Sequence, residues 1–560
     1  MSERVLIAVA WPYANGPIHL GHLAGCYLAA DIFARYHRLL GDDVLMVSGS
    51  DQHGTPITLR AEQEGVSPEK VVDRYHRSFT KSWEQLGISF DLFTTTGTDN
   101  HRDTVQDLFK VLQEKGYIYT DISLLPYCHS CSRFLPDRYL KGICPNCGNL
   151  DARGDQCDNC GKPLNPEDLL EIECRISGDQ PEIRESEHFF LKLSSFEEPL
   201  LSWVKNQKHW RPNVLNFTTR YLQDGLKDRA ISRDLEWGIP LPVAGYEGKR
   251  IYVWFEAVAG YLSASKEWAA NIGEPEAWRP FWQGDAKAYY FIGKDNIPFH
   301  TIIWPAMLMG YGDLNLPYDV PANEFLTLEG KQLSTSRNWA VWLPDYLERY
   351  DPDPLRYHVA ATMPESSDSD FSWHDFARRN NDELVATYGN LVHRVLSLTY
   401  RNFDGCIPQP DSLDEESTEF LIKVSELFQQ VNDNLRECHF RFALGNSMAI
   451  AQSCNRYLDA MAPWKIMKED KKKAGTTLWV AMSAINCLKI TMYPFLPFSS
   501  EHLNTMLGFS EPISSEGWIW EPTVEFLPPG QSLLSPKPLF VKFDDDMAFL
   551  EIERLGTSEA

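Results

Sequence analysis

Apolar and polar positions divide this chain into stretches of different period. Val5 to Ala10 is an unbroken apolar run, the pattern of a strand buried on both faces. A turn rich in Gly and Pro follows it, and a helical pattern then runs through Arg38. Val44 to Val47 is another apolar run, ending in Gly49-Ser50-Asp51-Gln52-His53-Gly54. Residues 1–115 thus alternate strand and helix signals. Over 116–232 the pattern breaks into cysteine pairs, Gly and Pro, then amphipathic helices, as an insertion would. Strand signals resume over 233–320, at Ile251 to Trp254 and at Tyr289 to Ile292, the latter followed by Gly293-Lys294-Asp295. From about 375 to 510 the pattern is helical, with Leu384, Tyr388, Leu391, Val395 and Leu398 on one stripe. Residues 511–560 are Pro-rich, with a strand-like piece at Leu539 to Phe543. This alternation predicts an α/β protein: a split, doubly wound parallel sheet of Rossmann type, then an all-α region.

Composition narrows the class. At 560 residues the chain is too long for one core. No apolar run is long enough to span a membrane, and the first one leads straight into a motif, as a strand does and a signal peptide does not. The net charge of −25 argues against coating nucleic acid, because such a surface repels phosphate at long range. It leaves room for a specific RNA reached through local basic stretches, Lys205 to Arg233 and Lys465 to Lys473; Lys468 to Lys473 reads more simply as a solvated helix face. Twelve cysteines without an export signal favour metal over disulfides and a cytoplasmic location.

Candidate chemistry clusters where strands end. Pro12 to His22 joins a buried strand to a helix start, the layout of a nucleotide site. The helix N-terminus would offer free N–H groups to phosphate. His19 and His22 fall on one face, and Gly21 would let a flat ring approach the backbone. A pair of surface histidines has the same spacing. Asp51 and His53 sit where parallel sheets bind ligands, although turn chemistry accounts for them equally well. Cys144-Pro-Asn-Cys147 and Cys157-Asp-Asn-Cys160, each followed by Gly, predict a structural Zn²⁺ on four thiolates. Cys128 and Cys131 form a third pair whose partner keeps only Cys174, in Cys174-Arg-Ile-Ser177. A second zinc with an outside ligand, for which His129 is near, and a metal-free knuckle fit this stretch equally.

The stretch Trp11 to His22, with Asp51-Gln-His53-Gly-Thr-Pro, resembles the methionyl-tRNA synthetase family of class I aminoacyl-tRNA synthetases. The resemblance extends over nearly the whole chain, through the knuckles, Ile231-Ser-Arg233-Asp, Tyr252-Val-Trp254, Phe291-Ile-Gly-Lys-Asp295 with His300, and Ala462-Pro463-Trp464. It implies activation of L-methionine by ATP with Mg²⁺, then transfer to the terminal ribose of tRNA(Met), initiator tRNA included. His19, Gly21 and His22 would hold ATP with Gly293, Lys294, Asp295, Leu333 and Thr335. Tyr13, Asp51, Arg233, Trp254, Ala257, Tyr261 and His300 would form the methionine pocket, with Asp51 on the α-ammonium. A thioether is a polarizable weak acceptor, so that pocket should be aromatic with one hydroxyl donor. Asn390, Arg394 and Trp464 would read the anticodon, by stacking and base-edge hydrogen bonds. Residues 321–374 would be a stem-contact region, and a monomer is expected.

Three positions depart from the family's commonest pattern: Trp11, Val258 and Asn296. The larger departure is the second signature, Lys-Met-Ser-Lys-Ser, which here reads Gln332-Leu333-Ser334-Thr335-Ser336 without either lysine. Lys331 or Arg337 would supply the lost charge and act with Ser334 and Ser336 in catalysis; Mg²⁺ or Lys294 is the other source. Two rivals remain. A synthetase for leucine, isoleucine or valine would need a large editing domain, for which the insertion is too short. A silent tRNA-binding relative is supported only by the degenerate loop.

Overall fold

The structure is a computed structural model describing residues 2–135, 139–154, 157, 159–160, 164, 168–335 and 337–557. Its central sheet holds β1 Arg4–Val9, β2 Asp43–Ser50, β3 Leu92–Thr95, β4 Lys287–Gly293 and β5 Ala322–Asn323. All pairings are parallel, and the spatial order is β5-β4-β1-β2-β3. The order reverses between β1 and β4, so the carboxyl ends of these two strands border the crevice where such sheets bind ligands. Within β1 the period of two is plain. Val5, Ile7 and Val9 enter one core and Leu6 and Ala8 the other.

The first core continues without a break into the C-terminal helices, through Leu384, Leu391 and Leu478. The helices used below are α1 Leu28–Leu39, α2 Val253–Asn271, α3 Pro352–Ala361, α4 Asn390–Asn402, α5 Lys471–Met492 and α6 Met547–Arg554. Lys471 to Lys473 open α5 and are exposed, as a solvated face should be, while α5 is buried all round from Ala474 to Met492. Arg356 of α3 ties sheet to helices. Fully buried, it donates to Asp31 of α1 (2.6 Å), Leu86 O (3.1 Å), Pro494 O (2.9 Å) and Phe495 O (2.8 Å). The insertion is carried on a long antiparallel pair, Ile118–Cys128 with Glu182–Leu191, and the knuckles form a small core of their own.

Two expected strands are corrected. Of the Ile251 to Trp254 run only Ile251 lies in a strand, the short Arg250–Ile251, which pairs with Ser232–Arg233 outside the central sheet. Val253 and Trp254 already belong to α2, because the apolar run continues to Leu262 and a buried helix has the same appearance as a buried strand over four residues. Leu539 to Phe543 joins no ladder among the described residues. Side-chain amides pin it instead: Asn380 donates to Val541 O (2.9 Å), and Asn381 both donates to Phe543 O (3.0 Å) and accepts from Phe543 N (2.9 Å).

Candidate active site

Sequence placed His19 and His22 together, and the structure does so with ring centroids 4.1 Å apart. His19 caps the turn Leu20–His22: its Nδ1 accepts from Gly21 N (3.1 Å), while His22 Nδ1 accepts from His19 N (3.1 Å). An accepting Nδ1 carries no proton, so both rings are neutral and each keeps its proton on Nε2. Burial pushes His22 down to about 4 and His19 well below its ordinary value. The expected free backbone N–H groups are a correction. Leu20 N donates to Val341 O (2.9 Å) and His22 N to His19 O (2.9 Å), with Gly21 N already on His19. The donors available to a phosphate at this corner are imidazole N–H groups. Trp342 lies edge-on to His19, centroids 5.8 Å apart, a neighbour that nothing in the sequence pattern marked.

Gly21 is approached by Leu333, not by open space. A Cβ on Gly21 would stand 2.7 Å from Leu333 Cδ1. The degenerate loop therefore rests on the histidine corner. Ser334 and Trp339 exchange both backbone hydrogen bonds (2.9 Å each), closing the loop. Lys331 Nζ lies over the Trp339 ring at 4.3 Å. Lys294 is committed to Glu324 and Asp368, both at 2.7 Å. Arg337 is exposed and makes no ion pair among the described residues; Thr335 is exposed and brings no charge. Ser336 lies outside the described residues. Across the crevice, Gly293 leaves room for Asp295, whose Oδ1 would stand 2.9 Å from a Cβ there.

The aromatic pocket assembles from four segments. Trp254 Nε1 donates to Tyr13 Oη (2.8 Å), and Tyr13 forms a parallel bridge with Asp51. Trp254 packs edge-on against Phe299, centroids 4.4 Å apart, and Ala257 follows one turn later on α2. His300 Nδ1 donates to Asn296 O (2.9 Å), so its Nε2 accepts the Tyr261 hydroxyl proton (2.7 Å). Burial pushes His300 down to about 4, which keeps this arrangement neutral. The hydroxyl donor expected for a thioether is thus already given to His300. Arg233 stacks on Tyr252 at 3.9 Å and donates to Ala230 O and Ser232 O (3.0 and 2.9 Å). It lines a narrow cleft with Tyr13, His53 and Trp254.

The departures have physical accounts. The Trp11 ring lies between the backbones of Gly49 and Gly260; a Cβ at Gly260 would stand 2.7 Å from Trp11 Cε2. Asn296 serves His300 through its carbonyl, and its amide turns to Asp295 (3.3 Å). Val258 is buried in the second core. Sequence reasoning passed over Glu256, fully buried on α2 between Trp254 and Ala257 and bonded to His53 (2.9 Å). A carboxylate inside the apolar run Val253 to Leu262 was the available signal.

The sulfurs of Cys144, Cys147, Cys157 and Cys160 all lie within 4.8 Å of one another, with Cys144–Cys160 at 3.9 Å and Cys147–Cys157 at 3.6 Å. Four thiolates around zinc at ~2.3 Å are ~3.8 Å apart, so the four-cysteine set fits a tetrahedral Zn²⁺. In the second cluster the sulfurs of Cys128, Cys131 and Cys174 lie within 4.8 Å of one another, with Cys131 and Cys174 3.8 Å apart, and Ser177 Oγ lies 3.3 Å from Cys128 Sγ. His129 Nε2 is bonded instead to Glu182 (2.5 Å). In the helical region Arg394 lies over the exposed Trp464 ring at 5.3 Å and donates to Asn455 (2.9 Å), with Asn390 exposed one turn earlier.

Residues 5–396 match the family described as tRNA synthetases class I (M). The chain belongs to the methionyl-tRNA synthetase family of class I. Residues 407–558 match the anticodon binding domain of methionyl tRNA ligase. The methionine–tRNA ligase of Dehalococcoides mccartyi is 59% identical over 556 residues, covering 99% of this chain and all of the relative. That of Thermomicrobium roseum is 52% identical over 581 residues, covering 99% of each. The solved methionyl-tRNA synthetase of Mycobacterium tuberculosis, in complex with methionyl-adenylate, shares the fold, with a TM-score of 0.80 over 96% of this chain and 100% of that one at 24% identity. Among the described residues of this family member, no helix is long and apolar enough to cross a membrane.

Proposed function

We propose that this chain is a methionine–tRNA ligase. The carboxylate of methionine attacks the α-phosphorus of ATP, the bond to the bridging oxygen breaks, and pyrophosphate leaves. A terminal ribose hydroxyl of tRNA(Met), initiator tRNA included, then attacks the adenylate carbonyl, and AMP leaves. The observation carrying this reading is that one chain holds two neutral imidazole donors, His19 and His22, in the segment after β1 and also assembles an aromatic pocket from Tyr13, Trp254, Tyr261 and His300. Fixed donors aimed at developing phosphoryl charge do not need to reorganise as the reaction proceeds.

Asp51 holds the α-ammonium, Asp295 the ribose hydroxyls, and Arg233 with Ala257 completes the pocket. Of the candidate cations, Arg337 is the one that serves the pyrophosphate, since Lys331 of the loop is stacked on Trp339 and Lys294 after β4 is paired twice. Mg²⁺ accompanies ATP, Leu333 and Thr335 contribute to the ATP site, and Ser334 and Ser336 carry the catalytic role that the family signature gives them. Arg394, Trp464 and Asn390 hold the anticodon. A monomer working in the cytoplasm belongs to this reading, and no cysteines pair as disulfides among the described residues. Zn²⁺ on Cys144, Cys147, Cys157 and Cys160, when bound, cross-links the knuckle and does no chemistry on substrate. Metal analysis is expected to give one zinc per chain, or two if Cys128, Cys131, Cys174 and Ser177 hold a second.

Methionine-dependent ATP–pyrophosphate exchange tests the reading. Exchange with methionine and not with leucine, isoleucine or valine is the expected outcome. Exchange with none of them would leave the silent tRNA-binding relative in its place.

A further inference from the structure

Beneath the pocket lies a buried carboxylate that the mechanism above does not use. Glu256 is fully buried on α2, between Trp254 and Ala257. Its Oε2 is bonded to His53 Nδ1 (2.9 Å) and lies 3.8 Å from His101 Nε2. His53 also donates its backbone N–H to Asp51 Oδ1 (3.1 Å). His101 Nδ1 is bonded to the Ser263 hydroxyl (2.8 Å), which itself donates to Gly260 O (3.0 Å). Glu256 is thus a tie between the turn after β2 and the helix that presents the aromatic wall. It also sets a negative charge in a dry site beside Asp51.

We propose that Glu256 is a positioning residue for the methionine pocket, fixing the Asp51–His53 turn against α2 and setting the charge that Asp51 meets. This rests on the assignment of Asp51 to the α-ammonium.

The groups facing Asp51 are Glu256 and Tyr261 from α2, His53 from its own turn, and Tyr13 from the turn after β1. Burial and the Glu256 charge push Asp51 well above the usual carboxylate range. Burial also raises Glu256, but His53 and His101 outweigh it and hold that carboxyl below its ordinary value. Asp51 therefore ionises later than an ordinary carboxylate as pH rises, and the acidic limb of kcat/KM for methionine reports that ionisation.

The test is steady-state exchange over a range of pH with three variants. Glu256→Gln keeps shape and loses charge. It is expected to move the acidic limb to lower pH and to raise KM for methionine about tenfold, the worth of ~1.4 kcal/mol, with kcat and KM for ATP little changed. Glu256→Asp keeps the charge but withdraws it by one methylene, so the limb stays while KM rises. A limb that stays in place in Glu256→Gln overturns the proposal, since a merely structural residue would raise KM equally at every pH. Asp51→Asn separates the two failures. If it keeps methionine binding and the limb, the assignment of Asp51 falls; if it loses both while Glu256→Gln leaves the limb unmoved, only the role of Glu256 falls.

Discussion

The two segments that meet at Gly21 are built in opposite ways. At the histidine corner the backbone N–H groups of His19, Leu20, Gly21 and His22 are all used, each imidazole is held by a main-chain donor, and both rings are half-buried and neutral. The loop Lys331 to Arg337 is largely exposed, and its cations are either stacked on Trp339 or left without an ion pair among the described residues. A preorganised neutral donor costs no reorganisation during reaction but adds no net charge. A cation on a loop adds charge but must be ordered first. A chain whose loop carries neither lysine is expected to lean more heavily on the fixed half.

Four measurements break or sharpen this contrast. The largest effect belongs to the corner: His19→Ala and His22→Ala should each lower the exchange rate about 10²–10³-fold. A loss under tenfold in both would mean that the corner is not the principal phosphate donor. Next is the loop, where Arg337→Ala is expected to lower exchange roughly tenfold or more, about 1.4 kcal/mol, and Lys331→Ala much less. Equal losses would show that Lys331 leaves Trp339 when ATP binds. Arg394→Ala should weaken kcat/KM for tRNA by ~1–3 kcal/mol through the lost stacking partner of Trp464 while exchange stays normal. The smallest effect is with pH. Protonation of His22 near pH 4 would destroy its acceptor Nδ1, so the corner is intact above that value and lost below it. Between pH 6 and 8 these histidines should leave no limb in the exchange profile, and one that disappears in His22→Ala would refute their neutral state.

The same contrast between complete and incomplete recurs in the cysteine clusters. The four-thiolate set was legible because its spacing alone constrains the geometry. In the other, spacing located Cys174 and, three residues on, Ser177 where a fourth cysteine would stand, but not the hydrogen bond between Ser177 and Cys128, which depends on how the two turns pack. The strand at Ile251 to Trp254 was misread for a related reason, since four apolar residues do not distinguish a buried strand from the first turn of a buried helix.

What the sequence determined by itself is the order of the parts: the strands followed by the segments that carry His19, Asp51 and Asp295, the knuckles, and the helix that carries Arg394. Those follow from local period, turn chemistry and spacing, which act between near neighbours. Which groups keep their protons was decided by the tertiary structure. The contact of Leu333 with Gly21, the bond from Tyr261 to His300 and the buried charge of Glu256 held by His53 depend on groups brought together from distant segments. Where such groups are buried, a single hydrogen bond or neighbouring charge shifts the balance that water would otherwise hold.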